Sequence, residues 1–293
     1  MAPHGTHGAA VARGAATVGE LVNAAVRALA GVNPTPLLDA ELLAAFVTAQ
    51  PRSSVLAFPE RAVTAAAAEE FDRLLARREG GEPLAYLVRG KEFYSLPLRV
   101  TQAVLIPRPE TELLVDEALA HCPPAAARKM LDLGTGSGAI AFALKREHPE
   151  AEIWAADVSA PALAVARANE QRLGVAIRFV ESDWFAALAG ERFDLIVCNP
   201  PYVATEDAQN GELAFEPRLA LDGGADGLDA LRAVLASARE HLTAGGLLLL
   251  EHGADQRAAL IELAEARGWR TVAARADLAG HARVLVLADG AVR

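Results

Sequence analysis

Two hydrophobic rhythms divide the chain. From Thr17 to about Arg78 apolar residues recur at helical spacing, as Leu21, Ala24, Ala25, Ala28 and Leu29 do, in a background rich in Ala and Leu. That spacing predicts a small helical domain. Gly31-Val32-Asn33-Pro34-Thr35-Pro36 and Pro51-Arg52-Ser53-Ser54 punctuate it, because proline and cap-forming residues end one helix and start the next. Residues 39–46 and 63–78 read as two of its helices. Gly80-Gly81-Glu82-Pro83 closes the unit, and a short hairpin over 92–100, turned around Ser95-Leu96-Pro97, follows.

Beyond Arg108 the rhythm changes. Short β-rich runs alternate with Ala-rich helical segments, the signature of a parallel sheet covered on both faces. Seven strands are expected, at 129–133, 152–157, 176–181, 193–198, 246–251, 270–275 and 283–288. The last two are joined by too few residues for a helical crossover, so they should pair antiparallel or lie at an edge. That asymmetry separates the sheet from a dinucleotide-binding one. The expected organisation is a tail over 1–16, a helical domain over 17–88, a linker and hairpin over 89–108, and an α/β domain over 109–293.

Composition narrows the class. With 293 residues, 52% hydrophobic and 23% charged, the chain has the profile of a soluble globular protein, and no apolar run approaches the length of a bilayer span. A net charge of -10 argues against broad, sequence-independent grip on nucleic acid, which relies on Lys and Arg neutralising phosphates. Arg77, Arg78, Arg89, Lys91, Arg99 and Arg108 fall in one stretch but read as ordinary solvated cations. Cys122 and Cys198, the two cysteines, offer no zinc site and imply a reducing, cytoplasmic compartment. The first 16 residues lack a secretory signal and read as disordered, with His4 and His7 of no metal significance.

The chemistry is concentrated after two strands. Met130-Leu131-Asp132-Leu133, then Gly134-Thr135-Gly136-Ser137-Gly138, then Ala139-Ile140-Ala141-Phe142 reads as strand, tight turn, helix. The glycines let the backbone bend sharply and approach a ligand with no Cβ in the way. The spacing is G-x-G-x-G, unlike that of nicotinamide enzymes, so it is not read as a pyrophosphate cradle. Asp157 ends the next strand, where a carboxylate can accept both hydroxyls of a ribose, and Trp184 follows the third, where an adenine could be held. Each signal alone has an ordinary structural reading: a turn, a helix cap, a packed ring. In this order they favour an adenosyl ligand, and S-adenosylmethionine fits best because no P-loop lysine is present.

Asn199-Pro200-Pro201-Tyr202 follows the run 193–198. A planar amide or amino nitrogen is a poor nucleophile because its lone pair is delocalised, so a site must hold it by its hydrogens and aim it at a methyl donor. An Asn side-chain oxygen and a prolyl carbonyl are two fixed acceptors for that task, and Tyr202 gives a flat face for packing. No catalytic acid or base is assigned. Glu92, Glu110 and Glu216 are read as supporting carboxylates, and His252 as a hydrogen-bonded core residue.

At this point the sequence resembles the bacterial peptide chain release factor glutamine N5-methyltransferases (HemK/PrmC type), over about residues 86–287. The resemblance rests on Gly90-Lys91-Glu92-Phe93-Tyr94, Leu105-Ile106-Pro107-Arg108-Pro109-Glu110-Thr111-Glu112, the turn after Asp132, Asn199 to Tyr202, Phe215-Glu216-Pro217, Asp226-Gly227-Leu228-Asp229, Glu251-His252-Gly253 and Asp277-Leu278-Ala279-Gly280. The tetrad by itself is shared with adenine-N6 methyltransferases and is not specific; together with the segment Ile106 to Glu112 it is. The resemblance implies a seven-stranded Rossmann-like class I methyltransferase sheet with a small N-terminal helical domain and a linking hairpin. It also implies S-adenosylmethionine held by Gly134 to Gly138, Asp157, Trp184 and Asn199, and a substrate glutamine held by Asn199 to Tyr202. That glutamine would lie in the Gly-Gly-Gln loop of class 1 release factors. Ribosomal-protein glutamine methylation, adenine-N6 methylation of nucleic acid and a non-catalytic cofactor-binding adaptor are the alternatives.

Overall fold

The computed structural model describes residues 16–123 and 128–290. The expected tail, with His4 and His7, lies outside the described residues except for Ala16. The chain divides after Val88 into two compact units.

The first unit is helical: α1 (Val18–Leu29), α2 (Pro36–Thr48), α3 (Arg52–Ala57), α4 (Ala65–Glu79) and α5 (Leu84–Leu87). The Thr17 hydroxyl caps the first turn of α1 while the Glu20 carboxylate returns to the Thr17 N–H, which satisfies two amide donors that the helix start leaves free. Pro36 opens α2 three residues before the expected start, where its fixed φ suits a first helical position. Leu29, Leu43, Phe71 and Leu74 form the centre of this core. Inside it Arg78 pairs with Asp39 at 2.7 Å, both side chains nearly closed to solvent.

The second unit begins with a hairpin, β1 (Lys91–Phe93) and β2 (Leu96–Leu98). Its turn is Tyr94-Ser95, both with positive φ, one step earlier than the expected Ser95-Leu96-Pro97. A two-residue turn of that kind matches strand twist, and Pro97 is tolerated inside β2 because a two-stranded ribbon has open edges.

Then follow α6 (Glu112–His121), β3 (Lys129–Leu133), α7 (Ala139–Glu147), β4 (Glu152–Asp157), α8 (Ala160–Leu173), β5 (Arg178–Glu181), β6 (Phe193–Cys198), α9 (Asp229–Ser237), β7 (Leu242–Glu251), α10 (Arg257–Ala266), β8 (Trp269–Ala276) and β9 (Ala282–Asp289). The strands form one sheet in the order β5-β4-β3-β6-β7-β9-β8. The first five are parallel, and β9 runs antiparallel between β7 and β8, which leaves β8 at the edge. Both expectations for the last two strands therefore hold.

The near-continuous apolar strands follow from coverage of both faces. Met130, Leu195, Val197 and Leu249 pack with α6 and α7 residues on one side. Leu131, Leu133, Ile196, Cys198 and Leu250 pack with α9 and α10 residues on the other. The order reverses between β3 and β6, since β3 has β4 on one side and β6 on the other. The carboxyl ends of these strands are where such sheets open a crevice.

Candidate active site

A cavity of about 540 Å³ opens there, and its lining joins the two sequence-predicted clusters. Gly134, Thr135, Gly136, Ser137, Asp157, Trp184, Asn199 and Pro201 all line it. Gly138, Pro200 and Tyr202 are not among its lining residues. Gly138 instead starts α7 at φ +85°, where an added Cβ would sit 2.3 Å from the Phe142 ring. Pro200 is buried, and Tyr202 packs against the core under α9 and α10.

The glycine turn is tied to β4. The amides of Gly134 and Thr135 both donate to the Ala156 carbonyl, at 2.8 and 2.9 Å, and the Gly136 amide donates to Asp157 Oδ2 at 2.8 Å. A Cβ added at Gly134 or Gly136 would meet no protein atom within 4 Å, so the space beside that backbone is open for a ligand. Asp157 also accepts the Ser159 amide at 2.8 Å. Burial raises its pKa, and these two amides offset only part of that rise. A carboxylate has about four acceptor positions, so capacity remains for ligand hydroxyls.

Trp184 adopts φ +46° on a loop braced by Ser182. The Ser182 hydroxyl donates to the Trp184 carbonyl at 2.8 Å and accepts the Ala187 amide at 3.0 Å. Beneath the turn lies Asp132, wholly buried, which accepts the Thr135 hydroxyl at 2.6 Å and the Ala141 amide at 3.1 Å. Burial outweighs both and pushes its pKa to about 7.

The tetrad leaves β6 and is held by backbone that tolerates no extra atoms. Val203 pairs with the segment 221–223 through Val203 N to Leu221 O and Gly223 N to Val203 O. A Cβ at Gly223 would stand 2.7 Å from the Pro201 carbonyl, and one at Gly227, with φ +71°, 2.3 Å from the Tyr202 carbonyl. Gln256 Nε2 donates to that Tyr202 carbonyl at 3.0 Å. The Tyr202 hydroxyl donates to Glu251 Oε1 at 3.0 Å. Glu251 is fully buried, and burial raises its pKa to about 6 against the opposing hydrogen-bonding influence of Thr111 and Tyr202.

The supporting carboxylates differ. Glu216 is buried, accepts the Ile106 amide at 2.9 Å and pairs with Arg108, so it ties 105–108 to 215–217, both of which border the cavity. Glu92 and Glu110 are exposed. His252 is fully buried with Nδ1 2.7 Å from the Gly253 carbonyl, and burial lowers its pKa, as a core imidazole behaves. Sequence reasoning did not assign roles to Thr111, Gln256, Glu251, Gly223 or Gly227. Of these, Thr111, Gly227 and Glu251 fall inside segments that carry the family resemblance, the one local signal they offered.

Residues 20–88 match the PrmC N-terminal domain and residues 109–215 the methyltransferase small domain. A release factor glutamine methyltransferase of Bordetella pertussis is 48% identical over 252 residues, 85% of this chain and 93% of that protein. One of Burkholderia pseudomallei is 44% identical over 277 residues, 92% of this chain and 94% of that protein. This chain belongs to the release factor glutamine methyltransferase family. Release factor glutamine methyltransferases are enzymes whose methyl donor is S-adenosylmethionine, and the open backbone at Gly134 and Gly136 beside Asp157 fits that donor's ribose-bearing body. Solved structures agree on the sheet. A methyltransferase from Pyrococcus furiosus is similar with TM-score 0.54 at 17% identity, covering 75% of this chain and 99% of that one. The T. thermophilus 16S rRNA N2 G1207 methyltransferase in complex with AdoMet and guanosine is similar with TM-score 0.50 at 20% identity, covering 67% and 48%.

Proposed function

We propose that this chain methylates the side-chain amide nitrogen, N5, of the Gln in the Gly-Gly-Gln loop of class 1 peptide chain release factors. The observation that carries the reading is that Asn199 and Pro201 line the same cavity as Gly134 to Ser137 and Asp157. One small space can thus serve both donor and acceptor. The substrate is a protein side chain, with no nucleic acid involved, in keeping with the net charge of -10. The helical unit docks the release factor, and its exposed Val32, Leu37, Leu56 and Phe58 supply apolar contact.

In this reading Gly134 to Ser137, Asp157, Trp184 and Asn199 bind S-adenosylmethionine, which supplies an electrophilic methyl carbon, while Gly138 shapes the turn that presents them. Asp157 accepts ribose hydroxyls and Trp184 offers a ring face to the adenine. The substrate NH2 donates one hydrogen to Asn199 Oδ1 and one to the Pro200 carbonyl, which leaves the nitrogen lone pair pointing along the remaining open direction. Pro201 keeps that corner stiff, and Tyr202, its ring packed on the core and its hydroxyl on Glu251, anchors it from beneath where the sequence had suggested a face for the substrate amide. When nitrogen gains the methyl it becomes acidic and releases a proton to water, so positioning supplies most of the rate.

Replacement Asn199→Ala removes the aimed acceptor. Expected is loss of turnover of roughly 100-fold or more with cofactor affinity within about threefold of wild type. Isothermal titration with S-adenosylhomocysteine and a single-turnover assay on purified release factor measure the two. Mass spectrometry should find one added methyl on the tripeptide glutamine with the wild-type protein; near-normal methylation by the variant would end the proposal.

A further inference from the structure

An asparagine side chain has two ends of almost the same size and opposite hydrogen-bonding sense, so a site built on Asn199 works only if something decides which end faces the substrate. With Oδ1 inward it accepts a hydrogen from the substrate NH2. Turned over, it would set NH2 against NH2, with no bond and a donor left without a partner. The residues of the tetrad do not make that choice.

Thr111 does. It is buried at 4% exposure, lines the cavity and stands 88 residues away in sequence, at the entry to α6. Asn199 Nδ2 donates to Thr111 Oγ1 at 3.1 Å. A hydroxyl could equally donate, so its own hydrogen must be committed elsewhere. The neighbouring carboxyl is that of Glu251, fully buried, whose Oε1 already accepts from Tyr202 and whose Oε2 has no hydrogen-bond partner. The Thr111 hydroxyl interacts with this carboxyl and, as Tyr202 does, draws its pKa down against the effect of burial. A carboxylate can only accept, which orients the Thr111 hydrogen toward it and turns the hydroxyl's lone pairs to Asn199.

We propose that Thr111 is a positioning residue for methyl transfer: it fixes the Asn199 side-chain amide with its oxygen toward the substrate nitrogen, and Glu251 sets the direction of the Thr111 hydroxyl. One buried carboxylate then governs two side chains of the tetrad, Tyr202 directly and Asn199 through Thr111. The inference rests on the reading of Asn199 as the substrate acceptor.

The test compares wild type, Thr111→Val, Thr111→Ser and Asn199→Ala, with purified class 1 release factor and S-adenosylmethionine as substrates and S-adenosylhomocysteine as the titrated ligand. Valine keeps the shape of threonine and removes the acceptor; serine keeps the hydroxyl. Expected for Thr111→Val is a kcat lower by roughly 10- to 100-fold, with KM for the release factor and affinity for S-adenosylhomocysteine within about threefold. Thr111→Ser should recover to within about threefold of wild type. Wild-type kcat in Thr111→Val beside an inactive Asn199→Ala overturns the role of Thr111 and leaves the proposed function standing. Equal loss of kcat and ligand affinity in Thr111→Val, or no recovery with serine, overturns it as well, because the defect is then one of folding or packing. An active Asn199→Ala overturns both.

Discussion

Replacing Glu216 by alanine isolates the ion pair that ties two cavity-lining segments together. Its carboxylate accepts the Ile106 amide at 2.9 Å and pairs with Arg108, and its side chain is 1% exposed. Ile106 is buried, so without an acceptor its N–H is orphaned, at a cost of about 1–3 kcal/mol. Arg108 is 34% exposed, so water recovers much of its side of the pair, and about 1 kcal/mol is lost there. Together the loss is about 3 kcal/mol, which for a unit of this size lowers the melting temperature by roughly 6–12 °C. Because Leu105, Pro107 and Arg108 on one segment and Pro217 on the other border the cavity, affinity for S-adenosylhomocysteine should fall with stability. Glu216→Gln keeps an acceptor for Ile106 and should lose only about a third as much. Thermal unfolding followed by circular dichroism and isothermal titration give both quantities. If Glu216→Ala melts within about 1 °C of wild type and binds the ligand normally, the pair contributes no more than a surface salt bridge does, and the reasoning is refuted.

Tyr202→Phe keeps the packed ring and loses the hydroxyl that donates to Glu251, so it should destabilise by about 1 kcal/mol against about 3 kcal/mol for Tyr202→Ala. Chemical denaturation separates the two, and equal losses would place the whole effect in the hydroxyl. Asp132 gives a pH signature. Its folded pKa, about 7, stands above the ordinary 3.8, so it stabilises the fold fully in acid and that contribution is lost as pH rises through about 7. Asn at this position cannot ionise, so the melting temperature of Asp132→Asn relative to wild type should climb from pH 5 to pH 8. A difference that stays flat across that range would contradict the assignment.

The strands and the glycine turn were legible because their signals are local. Met130 to Leu133 is apolar throughout since both faces of β3 are covered, and the glycines that follow are required by positive φ. The short connection after β8 likewise announced an antiparallel pair. The placement of β9 between β7 and β8 was not announced, because a sequence run does not say which neighbour it will choose. Nor was the hairpin turn, where Pro97 looked like a turn former while Tyr94 and Ser95 adopted the left-handed conformation. The support of the tetrad was hidden for a different reason. Thr111, Glu251 and Gln256 reach it from 88, 49 and 54 residues away, and no short-range spacing encodes such contacts.

The glycine turn and the tetrad leave adjacent strands whose last paired rung is Leu133 with Cys198. Neighbouring strands stand about 4.8 Å apart, a spacing set by main-chain hydrogen bonds that vary little with side chains or temperature. The gap between the two ends of the reaction is therefore inherited from the sheet, as the gap between jaws is inherited from a casting. Amide protons of β3 and β6 should accordingly be among the slowest to exchange with solvent.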